Sequence, residues 1–98
     1  MFFITLEAAP TPAHTEYGRV DGAFVSCWIN EQTADVAEQV ARAGIESAGW
    51  DALEVDECRS IVREEYDENS EALELFDQAS VDGLVLTFHT RPVSGDSE

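Results

Sequence analysis

At the start of the chain Phe2, Ile4, Leu6 and Ala8 alternate with Phe3, Thr5 and Glu7. A period of two predicts a half-buried strand. The same period returns over 22–30, where Ala23, Val25, Cys27 and Ile29 oppose Phe24, Ser26, Trp28 and Asn30. Between the two runs, Pro10 to Gly22 carries two prolines, two glycines and an Asp-Gly step, which predicts a loop. It is longer than a hairpin needs, and long loops tend to be functional or mobile.

The period then changes to that of a helix. Ala37, Val40, Ala41, Gly44, Ile45 and Ala48 fall on one stripe. Thr33 is placed to cap its start, and Asp35 meets the positive end of the helix dipole. The stripe is small-sided, so this helix can lie close on a sheet. Gly49 suits the left-handed turn that ends a helix, and Trp50 can pack back on Ile45. Leu53, Val55, Ile61 and Val62 support a third strand within 51–66, with an alternation that slips near Asp56–Cys58 and so predicts a bulge. Ala72, Leu73, Phe76 and Ala79 mark a second helix over about 70–80, with Asn69 as its cap and Asp82-Gly83 as its stop. Leu84, Leu86, Phe88 and Thr90 alternate with Val85, Thr87, His89 and Arg91 in a final strand.

Strand, strand, helix, strand, helix, strand is an α+β order: one domain over 1–91, with residues 92–98 as a disordered polar tail. If each helix makes a right-handed crossover, both lie on one face of a four-stranded sheet. The expected fold is a two-layer sandwich, ferredoxin-like or a close variant, with one sheet face open. That face would hold Phe3, Phe24, Trp28, His89 and Arg91, an aromatic patch among polar groups. Contiguous apolar surface of this kind marks an interaction or ligand site, and open sheets of this size pair face to face.

Charge adds a second feature. The 98 residues hold 21 acids and five bases, for a net charge of −16, and every base is arginine. Such a field opposes binding to nucleic acid or to anionic membranes, and it favours a basic protein partner. The same acidity also serves solubility or reflects the composition of a salt-rich host. Glu64, Glu65, Asp67, Glu68, Glu71 and Glu74, extended by Asp77, form a docking surface in the manner of immunity proteins and nuclease inhibitors. This segment has no glycine where a calcium loop needs one, so no metal is expected. Cys27 and Cys58 lack the spacing of a zinc site or a disulfide framework. The first residues lack a basic region and are interrupted by Glu7, so they read as a strand and not as a signal peptide. A cytoplasmic location with reduced thiols follows, and no cofactor is expected.

Among candidate chemical groups, His89 is the one residue of the sheet face able to do acid–base work, oriented by Glu7 or Glu57. Cys27 falls on the opposite face, which argues against a Cys–His pair. His14 lies in the long loop beside Tyr17 and Arg19.

CWIN (27–30), the Gly49-Trp50 helix stop and LTFHTRP (86–92) together resemble a set of small uncharacterised bacterial proteins. The resemblance implies a compact cytosolic α/β domain; it implies no activity and no catalytic residues. The expected function is an acidic binding or regulatory domain, a homodimer through the open sheet face that docks a basic protein partner in the manner of an immunity protein or inhibitor. The alternative is a small dimeric enzyme of the isomerase or monooxygenase type, with His89 as its acid–base group.

Overall fold

The structure is a computed structural model that describes residues 1–12 and 18–92, without the side chains of Arg91 and Pro92. His14 and Tyr17 of the predicted loop, and the tail from 93 onward, lie outside the described residues. The elements are β1 (Phe2–Pro10), β2 (Val20–Ile29), α1 (Ala34–Ser47), β3 (Trp50–Ser60), a short 3-10 turn (Arg63–Glu65), α2 (Glu71–Asp82) and β4 (Leu84–Pro92). β4 thus runs one residue past the predicted domain end.

The four strands form one sheet in the order β3-β1-β2-β4, with every neighbouring pair antiparallel. The α+β sandwich of a four-stranded sheet and two helices is present as predicted. Thr33 caps α1, its side chain accepting from the Val36 N–H at 3.4 Å. Ser70, not Asn69, caps α2, accepting from the Leu73 N–H at 3.1 Å. α2 stops at Gly83, whose φ of 91° is the left-handed conformation that other residues reach only with strain. The predicted bulge is also there: β3 shifts register against β1 on both sides of Leu6, so that Asp56 is skipped between Val55 and Glu57.

The main core lies between α1 and one sheet face. Ala37, Ala41 and Ile45 sit on Ile4, Leu6, Val25, Cys27 and Ile29, with Trp50 closing one end. α1 approaches so closely that a methyl group on Gly44 would stand 2.9 Å from a terminal carbon of Leu84. The small-sided stripe permits that approach.

The expected layering is corrected. The helices do not share a face. α2 covers the opposite side, where Leu73, Phe76 and Ala79 pack on Trp28, with Phe3, Val85 and Tyr66 around them. The crossover rule explains the difference. β2 and β3 are both antiparallel to β1, so they run parallel, and α1 is a connection of the kind whose handedness the rule governs. β3 and β4 run in opposite directions at the two sheet edges, so no handedness constrains α2. It goes where apolar surface is still uncovered, and Phe3, Trp28 and Val85 supply it.

Candidate functional site: a cleft beside the second helix

The second sheet face is built of rows set by strand register. Across β1, β2 and β4 these are Phe3–Trp28–Val85, then Thr5–Ser26–Thr87, then Glu7–Phe24–His89. On β3, Arg59 and Glu57 extend the first two rows.

α2 covers the first row. Its last turn lies by the end of β2, where the Asn30 amide donates to the Ser80 carbonyl at 3.5 Å. Its first turn stands over the second row. Beyond it the third row is not covered by a helix: Phe24 is half-buried and His89 exposed. Between the start of α2 and the sheet is a cleft of about 290 Å³ lined by Ser26, Trp28, Glu71, Ala72, Leu75, Thr87 and His89. The Thr87 hydroxyl donates to the Ser26 carbonyl at 3.4 Å, which ties β4 to β2 at the cleft floor.

Of the five residues predicted to form a contact face, the structure therefore keeps two at an open surface. Trp28 is 6% exposed and belongs to the α2 core. Its indole N–H donates to the Tyr66 hydroxyl at 3.1 Å, and its ring meets Phe3 at 5.0 Å between centroids. Phe3 is itself capped by the Arg59 guanidinium, 5.5 Å from its ring centre. These two rings serve the fold because α2 needs an apolar floor. Phe24 and His89 remain at the surface, and Arg91 is placed opposite Gly22 at the far end of β4. Phe24 stands between Glu7 and His89 in the third row, and Glu57 lies a row away, opposite Thr5 on β3.

The acidic set divides as well. Glu65 is structural: one oxygen accepts from the Val62 N–H at 2.9 Å and the other from Arg59 at 3.2 Å. Asp77 takes Arg63 in a two-point pair at 2.9 and 3.1 Å, and this hydrogen bonding holds its carboxyl below the ordinary value. Glu64, Asp67, Glu68 and Glu74 are exposed, and Glu71 stands at the cleft rim. Arg42, Arg59 and Arg63 all sit in pairs with carboxylates of the chain.

Ile61 and Tyr66 were missed as site-building residues. Ile61 is 3% exposed, and both pack into the α2 core. Their signal was present as two large apolar side chains in an otherwise acidic segment.

Among the described residues no group of three or more His, Cys, Asp or Glu is arranged to hold a metal ion. Among the described residues no helix is long and apolar enough to cross a membrane. Cys27 is fully buried under α1, on the face away from His89, and burial pushes its thiol up to about 12. Cys58 is exposed on β3. A thiol reagent is therefore expected to modify one cysteine in the native protein and both after unfolding; two fast thiols would contradict the fold. The sign of the pH effect follows. Above about pH 9 the unfolded thiol of Cys27 ionises while the folded one does not, so stability should fall by roughly 1.4 kcal/mol per unit. Denaturation at pH 8 and 10, with Cys27→Ala as reference, checks this.

Comparisons of the chain with protein-family models, with curated proteins and with solved structures find no match. The functional reading therefore rests on the geometry of the cleft.

Proposed function

We propose that the protein is an acidic, non-catalytic binding domain that takes a basic segment of another protein into the cleft beside α2. The observation that carries this reading is the lining of the cleft: an indole, two hydroxyls, aliphatic walls, the His89 imidazole and one carboxylate at the rim, with no lysine or arginine among them. A guanidinium placed there would meet Glu71 by charge-assisted hydrogen bonds and Trp28 by its ring, with its stem against Ala72 and Leu75. The volume, about 290 Å³, is at the lower bound of small-molecule sites, which suits one inserted side chain better than a whole substrate. The net charge of −16 would draw such a partner in and speed the encounter.

The test is titration with an arginine-rich peptide, followed by calorimetry. Saturable one-to-one binding that weakens with salt is expected, and Glu71→Gln should weaken it about tenfold, the scale of one lost charge-assisted bond. Equal affinity of the native protein and Glu71→Gln would reduce the interaction to the general field and sink the proposal.

One observation favours a second reading. His89, Ser26 and Thr87 border the same cleft, as an acid–base site would require. Under that reading His89→Ala abolishes turnover or binding of a small ligand with the fold intact. Under the first it changes peptide affinity only slightly.

A further inference from the structure

The sheet has two edges, and they are built differently. β3 is broken by two register shifts against β1 and carries Asp51, Glu54, Asp56, Glu57 and Arg59 within eleven residues. Bulges and charges of this kind blunt an edge against further pairing. On β4 both devices are confined to its last two residues, where Arg91 stands and the one register shift against β2 falls. It reads LVLTFHTRP, without one acid in a chain that holds 21, and its proline is the last residue of the strand. From Leu84 to Arg91 it pairs with β2 without interruption, and among the described residues no strand pairs with its outer side. Leu84, Val85, Leu86 and Phe88 are all only half-buried there.

We propose that two copies of the chain join through the free edges of their β4 strands, antiparallel about Thr87, to form one eight-stranded sheet. The occupant follows from charge. A basic partner would be selected by an acidic strand, whereas this strand holds no acid and Arg91 is its one arginine. A second copy of the same strand brings no carboxylate against it, while other strands of this chain would. Pairing about Thr87 sets Leu86 opposite the partner's Phe88 twice over, Val85 opposite the partner's His89, and Leu84 opposite the partner's Thr90. It also leaves Pro92, which cannot donate a ladder bond, beyond the paired region. Such an interface is isologous and closes as a dimer. Because Thr87 and His89 line the cleft beside α2, the two clefts of the dimer meet at the dyad.

This inference stands apart from the docking of a basic segment, and salt separates the two. Each copy carries a charge of −16, so screening should strengthen self-association, whereas it should weaken capture of a basic peptide. The experiment is sedimentation equilibrium of the full chain over a range of protein concentrations at low and high salt. A monomer–dimer equilibrium that tightens with salt is expected. Thr90→Glu, at an exposed position of β4, places an acid opposite Leu84 of each partner subunit and should weaken the dimer at least tenfold. Val81→Glu adds the same charge at a position of α2 that is 83% exposed and should leave the equilibrium within about twofold. Amide exchange in β4 should slow on dimerisation in the native protein and not in Thr90→Glu. A native chain that stays monomeric at high salt, a dimer that dissociates with salt, or a Thr90→Glu dimer as tight as that of Val81→Glu would each overturn the proposal.

Discussion

Replacing Trp28 with alanine should lower the free energy of unfolding by about 3–5 kcal/mol. Its indole lies between the sheet and α2, with Phe3 5.0 Å away and its N–H bonded to Tyr66. Leu73, Phe76 and Ala79 cover it from above. Truncation would open a cavity under the whole inner face of α2 and leave the Tyr66 hydroxyl without its donor. A domain of ordinary stability holds about 5–15 kcal/mol in total, so the variant should sit near the edge of unfolding. Chemical denaturation measures the loss directly. Had Trp28 been an exposed contact for a second molecule, its truncation would change the mass in solution and alter the stability of the isolated chain by only about 0.5 kcal/mol. That pair of results would contradict the placement of α2.

Trp50→Ala should cost a similar amount, about 3–5 kcal/mol, for a separate reason. Trp50 is 4% exposed and lies on the α1 side of the sheet, stacked on Phe88 with 5.5 Å between ring centres. The two tryptophans therefore belong to different layers and share no core partner. Their effects should add. A double alanine variant would be unfolded, so the cycle is best run with phenylalanine at both positions. A coupling below about 0.5 kcal/mol is expected for sites in separate layers. A coupling above about 1 kcal/mol would mean that both rings pack in one core.

The contrast between these tryptophans marks how far the sequence could be read. The elements themselves were legible because each obeys a local rule. Alternation located β1, β2 and β4; the Ala37–Ala41–Ile45 stripe located α1 and its close approach to the sheet; the slip near Asp56 foretold the bulge in β3. The separation of Cys27 from His89 followed from the period of two alone.

The side on which α2 packs was not local. The handedness of a crossover is fixed only between parallel strands, and the order β3-β1-β2-β4 leaves β3 and β4 antiparallel. Phe3, Trp28 and Val85 were visible as an apolar row, but they were assigned to another molecule. The chain's own Leu73, Phe76 and Ala79 needed a floor of similar size. α1 already fills the other face with small side chains, so a count of apolar surface per face would have pointed to this answer. The cleft was illegible for the same reason: it exists only because the first turn of α2 stands over the second row of the sheet and stops short of the third.

On the proposed reading this cleft, and not the acidic surface at large, receives a basic segment. The most direct measurement is a titration of isotope-labelled protein with an arginine-rich peptide at moderate salt, read residue by residue in the NMR spectrum. Saturable shifts are expected, concentrated at Ser26, Ala72, Leu75, Thr87, His89 and the indole N–H of Trp28. Shifts confined to Glu64, Asp67, Glu68 and Glu74, or spread evenly over the acids with the cleft silent, would contradict that reading.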